Sequence, residues 1–204
     1  MLSVVEHKIT DVEGMKIGVL ALQGAFVEHI LMLQRLGVEA VEVRLPQEIN
    51  RLDGLIIPGG ESTTIGKLAA MYQLIEPLQR FADEKPLWGT CAGMILMAKE
   101  VGIDQPLLGL MDIVVERNAF GRQKESFEED LYVEVLENGA SKPFRGVFIR
   151  SPRLVETKGE AIEIARLANG TPVAARQGNL LVTAFHPELT DDTRLHQYFL
   201  GLIK

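Results

Sequence analysis

The chain has 204 residues, 47% of them hydrophobic and 24% charged, a balance that suits one globular domain with a sizeable buried core. Its formal net charge of -7 offers no basic face to a phosphate backbone, and no stretch approaches the roughly 18 uninterrupted apolar residues of a spanning helix. One cysteine excludes an internal disulfide and, without a CxxC partner, argues against a structural zinc site or a dithiol redox motif.

The first residues, "MLSVVEHKITDVEG", carry acids and lack a continuous apolar core, so they do not read as a secretory signal, and a cytoplasmic enzyme is the expectation. "KIGVLAL" then reads as a buried strand, and "GAFVEHILMLQRLG" as a helix with Phe26, Ile30, Leu33 and Leu36 at helical spacing until Gly37. "VEAVEVRL" is a second strand. "LDGLIIPGG" is a third, ending on Pro58 and two glycines, with "TIGKLAAMYQLIEPLQRFADE" behind it as helical material. "KPLWGT" is a fourth strand, and a helix "MILMAKE" follows Cys91. Strands alternating with helices imply right-handed βαβ units, hence a doubly wound, mostly parallel α/β sheet with helices on both faces. In the second half, short strand-like runs from "LGLMDIVVERN" to "NLLVTAFHPEL", separated by Gly, Pro and Asn, suggest an antiparallel extension, and "TRLHQYFLGLI" closes the chain as a helix.

A doubly wound sheet binds ligands at the carboxyl ends of its strands, which directs attention to "QGA", "PGGESTT" and "TCAG". Cys91 sits between glycines where a strand pattern becomes a helix pattern, the geometry that lifts a nucleophile off the backbone. The helix N-terminus there favours a thiolate. Gly89 permits the tight turn and Gly93 close packing of helix on strand. A cysteine nucleophile wants a base, and the base an orienting acceptor. Of the four histidines, His7 lies in the ragged N-terminal segment, and His29 and His196 fall within helical patterns. His186 follows a strand in "FHPEL", where extended backbone would point His186 and Glu188 the same way. "HPE" alone fits a helix start with a capping acid equally well. Oxyanion donors are expected from the N–H of Ala92 and from the loop of Pro58, Gly59 and Gly60, although "PGG" also suits an ordinary turn.

Taken in order, "GVLALQGA", "LIIPGGEST", "GTCAG", "VERNAFGRQ", "GVFIRSPR" and "FHPELTDD" resemble the glutaminase subunits of pyridoxal 5'-phosphate synthase, within the class I (triad) glutamine amidotransferases. "PGG" and "HPE" mark the wider class, while "LQGA" with "VERNAFGRQ" narrows it. The resemblance covers residues 15–204. It implies a flavodoxin-like glutaminase domain with a Cys91, His186 and Glu188 triad, a γ-glutamyl thioester, and no metal or organic cofactor. It further implies glutamine binding through Gly60, Glu61, Ser62, Arg117, Ile149 and Arg150, an oxyanion hole from Gly60 and Ala92, and ammonia transfer to a separate synthase subunit. Gln23, on the same rim, is expected at the interface with that partner. Arg117 and Arg150 would otherwise read as solvated surface charges. Members of the family usually begin at the first strand, so residues 1–14 are expected to form a flexible extension.

Overall fold

The computed structural model describes residues 12–117 and 126–204. Residues 1–11, which hold most of the expected extension, lie outside the described residues. The chain enters β1 (Lys16–Leu20), α1 (Phe26–Arg35), β2 (Glu39–Val43), a 3₁₀ turn (Pro46–Arg51), β3 (Gly54–Ile57), α2 (Ser62–Met71), α3 (Ile75–Glu84) and β4 (Leu87–Thr90). It continues through α4 (Ala92–Met97), β5 (Ala98–Glu100), β6 (Met111–Glu116), β7 (Ser126–Leu131), β8 (Phe144–Ile149), β9 (Arg153–Thr157), β10 (Ile162–Arg166), β11 (Pro172–Gln177) and β12 (Leu180–Thr183). A second 3₁₀ turn (Pro187–Leu189) and α5 (Arg194–Leu200) close it.

Among the described residues a seven-stranded sheet runs in the order β10-β11-β12-β4-β3-β1-β2. The five strands from β12 to β2 are parallel, with α1 carrying the chain back from β1 to β2 and α2 and α3 from β3 to β4, while β11 and β10 add on antiparallel. The expected extension therefore exists, but only in part. β5, β6 and β9 form a separate three-stranded sheet, and β7 pairs with β8 alone.

β1, β3, β4 and β12 end on one rim, so the segments that follow them converge there. Leu55, Ile56, Ile57, Leu87, Trp88, Leu181 and Val182 are all inaccessible to solvent, the continuous apolar pattern of strands covered on both faces. Neighbouring strand residues face opposite layers. Trp88 packs against His29 of α1 and against His196 and Phe199 of α5, whereas Gly89 faces Gly93 and Met97 of α4.

One local expectation is refined and one is corrected. The stretch behind β3 is two helices, broken where Gln73 adopts φ 57°, a left-handed position that neither Gly nor Pro advertises. The helix after Cys91 is only six residues long and ends at Met97, so Ala98, Lys99 and Glu100 belong to β5.

Candidate active site

Cys91 joins β4 to α4 at φ 48° and ψ -101°, a backbone region that residues other than glycine rarely occupy. Its N–H donates to Thr183 O at 2.8 Å, and its carbonyl accepts from Met94 at 3.1 Å, so the strained turn is held from both sides. The flanking glycines are sterically required. A Cβ on Gly89 would lie 2.5 Å from the Gly93 carbonyl carbon, and one on Gly93 would lie 2.2 Å from Ile57 O.

The register of β12 beside β4 sets Thr183 opposite Thr90, so the chain leaving β12 passes Cys91 and delivers His186 to it. The His186 N–H donates to Val147 O at 2.8 Å, tying this segment to β8. His186 Nδ1 lies 2.7 Å from Glu188 Oε1, which leaves Nε2 available to the thiol, and the ring and Cys91 Cβ both border Gly59. The two side chains meet across a 3₁₀ turn rather than along an extended strand, so the expected alternation is not the cause of their contact. Burial opposes charge on His186, but hydrogen bonds to Cys91 and Glu188 and their negative charge outweigh it and raise its pKa to about 10. Cys91, His186 and Glu188 are 6%, 7% and 5% exposed, so these polar contacts act with little competing water.

The loop after β3 closes over this arm. A Cβ on Gly59 would lie 2.3 Å from His186 Cε1 and 3.3 Å from Cys91 Cβ, so only glycine fits. The Gly59 carbonyl accepts from Ala25 N at 3.0 Å, and Gln23 Oε1 accepts from Glu61 N at 2.7 Å. Gly24, at φ 106°, allows the two loops this approach, since a Cβ there would lie 1.8 Å from Gly59 O.

Beyond the loop, Glu61 caps α2 by accepting from Thr63 N at 3.2 Å and from Thr64 N at 2.7 Å. Burial opposes its ionisation, but hydrogen bonds from Thr64 and Thr63 prevail and pull its pKa down to about 2. Arg117, just past β6, meets Glu61 Oε1 at 2.9 Å and donates to Thr63 Oγ1 at 2.8 Å. Among the described residues, no group of three or more His, Cys, Asp or Glu side chains is arranged to hold a metal ion, and no helix is long and apolar enough to cross a membrane.

The SNO glutamine amidotransferase family matches residues 19–204. The chain belongs to that family. A pyridoxal 5'-phosphate synthase subunit PdxT from Herpetosiphon aurantiacus is 59% identical over 92% of this chain and 100% of its own length. The protein of the same name from Geobacillus kaustophilus is 55% identical over 93% of this chain and 95% of its own length. A crystal structure of a glutamine amidotransferase superposes with a TM-score of 0.86 at 52% identity, covering 92% of this chain and 98% of that one. PurLQS from Thermotoga maritima, at 16% identity and a TM-score of 0.72, shares the fold.

This amidotransferase thus brings the expected residues together in two groups. Cys91, His186 and Glu188 form the buried arm. Gln23, Gly60, Glu61, Ser62 and Arg117 form the adjoining rim. Ala92 is the first residue of α4, where a helical N–H has no acceptor within its own helix. Ile149 and Arg150 follow Val147, the residue bonded to His186, and both are exposed, with Arg150 at φ 42°. Residues 118–123 of "VERNAFGRQ" lie outside the described residues. Sequence reasoning missed Gln105, whose Oε1 accepts from Ser62 Oγ at 3.1 Å and from Arg117 at 3.3 Å. It also gave no role to His29, which lies 3.3 Å from the second oxygen of Glu188. A histidine on the apolar face of an amphipathic helix was the available signal for the latter.

Proposed function

We propose that the chain is the glutaminase subunit of a pyridoxal 5'-phosphate synthase, hydrolysing glutamine to glutamate and ammonia through Cys91, His186 and Glu188. The Cys91 thiolate attacks the side-chain amide carbon, and the N–H groups of Ala92 and Gly60 receive the developing oxyanion. The His186 imidazolium gives its proton to the departing ammonia, leaving a γ-glutamyl thioester. The neutral imidazole then takes a proton from water as it attacks the thioester, and glutamate leaves. Glu188 fixes the ring and stabilises its charge. Glu61 and Arg117 present adjacent opposite charges that match the zwitterionic head of glutamine, with Ser62, Ile149 and Arg150 lining the same approach.

The observation that carries this reading is the continuous contact from a strained, buried thiol through His186 to Glu188, on a rim rich in small residues. The names of the relatives support the destination of the ammonia, a synthase subunit that makes pyridoxal 5'-phosphate. A cytoplasmic setting suits a thiol that must stay reduced. Ammonia release from glutamine, measured with and without the purified synthase subunit, tests the reading. Turnover should rise with the partner present and vanish in Cys91→Ala while the variant keeps its fold. Substantial turnover in Cys91→Ala would remove Cys91 from the chemistry, and none in the wild-type complex would leave a thiol-bearing binding subunit.

A further inference from the structure

Two histidines that this reaction does not use are buried behind Glu188. His29 comes from α1 and His196 from α5, both inaccessible to solvent, and they pack on Trp88 with ring centroids 5.7 and 4.9 Å away. His29 Nδ1 lies 3.0 Å from His196 Nε2. His29 Nε2 lies 3.2 Å from Thr90 Oγ1 and 3.3 Å from Glu188 Oε2. Glu188 therefore faces two imidazoles, with Oε1 committed to His186 and Oε2 completing no regular hydrogen bond among the described residues. Leaving a buried carboxylate oxygen without a donor is costly.

The tautomers follow from counting protons. Burial, then the neighbouring His196 and His186, hold the His29 pKa well below its ordinary value, and burial lowers that of His196 to about 3, so both rings are neutral. A proton on His29 Nδ1 would turn the bare Nε2 lone pair toward Glu188 and leave the proton on His196 Nδ1, a buried atom with no partner among the described residues. With protons on both Nε2 atoms, His196 donates to His29, and His29 presents its N–H to Thr90 and Glu188. The unpartnered atom is then an acceptor rather than a donor, the less costly of the two.

We propose that His29 is a positioning residue for the reaction: its Nε2–H, fixed by His196, holds Glu188 Oε2 so that Oε1 stays aimed at His186. The inference rests on the triad reading above. Without that contact the carboxylate would be free to turn, which loosens its grip on the base.

The test is steady-state glutaminase activity in the complex with the synthase subunit, for Cys91→Ala, His29→Leu and His29→Gln. His29→Leu should lower kcat about tenfold or more with KM for glutamine within about twofold, because support of the base is lost and substrate contacts are not. His29→Gln, which keeps a donor at similar reach, should recover most of the rate. Nitrogen-15 NMR of the wild-type imidazoles adds a readout that does not depend on a variant folding: His29 and His196 should both be neutral and protonated at Nε2. A folded His29→Leu with wild-type kcat, or a His29 protonated at Nδ1, overturns the proposal. Inactive Cys91→Ala beside fully active His29→Leu sinks this inference alone, whereas active Cys91→Ala sinks the triad itself.

Discussion

Behind Cys91 the ionisable side chains His186, Glu188, His29 and His196 are withdrawn from water, whereas across the rim Glu61 and Arg117 keep side-chain exposures of 47% and 25%. The buried arm is fixed before substrate arrives. Its partners are set by register, by the Pro187–Leu189 turn and by close packing, and in such surroundings a misplaced dipole is not replaced by solvent. The rim pair is held by contacts worth about 1 kcal/mol or less, as expected for a partly exposed ion pair. A pair held so weakly can exchange partners with a charged ligand. On the proposed reading the first half serves the chemistry and the second binds substrate, so substitutions in the first should act on kcat and those in the second on KM.

The largest expected effect is that of Glu188→Gln, which keeps a hydrogen bond to His186 but cannot stabilise its positive charge. The kcat of the complex should fall by roughly a hundredfold or more with little change in KM. An unaltered rate would reduce Glu188 to a cap of the turn. Arg117→Ala probes the other half. On the proposed reading, in which Arg117 binds the substrate carboxylate, the loss should raise KM by about 10- to 100-fold and leave kcat within about threefold. A fall in kcat without a rise in KM would move Arg117 out of the binding rim.

The same contrast was only partly legible in the sequence. Cys91 stood out because the one thiol lies between glycines at a change of periodicity, and His186 because the other histidines fell in helical patterns or in the first segment. Glu188 followed from its distance along the chain, although a 3₁₀ turn and not an extended strand makes the contact. Arg117 became visible only through the family resemblance, since its partners Glu61 and Thr63 lie more than 50 positions away in sequence. His29 and His196 were hidden for the same reason, being 167 positions apart, and the periodicity that suggested a helix at His29 cannot say what its inner face touches. The break at Gln73 had no local signal at all.

A smaller effect concerns pH. Because the His186 pKa is raised to about 10 in the folded chain, above its ordinary value of 6.5, its protonated form stabilises the fold. That contribution is complete below about pH 6.5 and is lost as pH rises toward 10. The melting temperature of the wild type should therefore fall across this window more steeply than that of Glu188→Gln, whose His186 lacks the carboxylate. NMR titration of the His186 ring checks the cause: it should still be an imidazolium at pH 8, and an ordinary titration near neutrality would refute the assignment.

The smallest effect on the isolated chain, and the most specific to the complex, is expected at Ala25. Its N–H holds the Gly59 carbonyl at 3.0 Å, and Gln23 beside it holds Glu61 N at 2.7 Å, so the "QGA" loop grips the very peptides that flank Gly60. In a trans peptide the Gly60 N–H points away from the carbonyl that Ala25 holds, and the glycines on both sides permit that peptide to rotate once the grip is released. Docking of the synthase subunit over this rim would set the orientation in which Gly60 N–H faces the oxyanion. Ala25→Trp should then leave the isolated chain's melting temperature within a few degrees of wild type, since Ala25 is not in the core, yet lower partner-stimulated ammonia release by about threefold to tenfold. Hydrogen-exchange mapping of the wild-type complex locates the contact. Protection is expected at Gln23, Ala25, Gly59 and Gly60, and protection confined to the opposite end of the sheet, around Lys85 and Asn179, would show that the partner docks elsewhere.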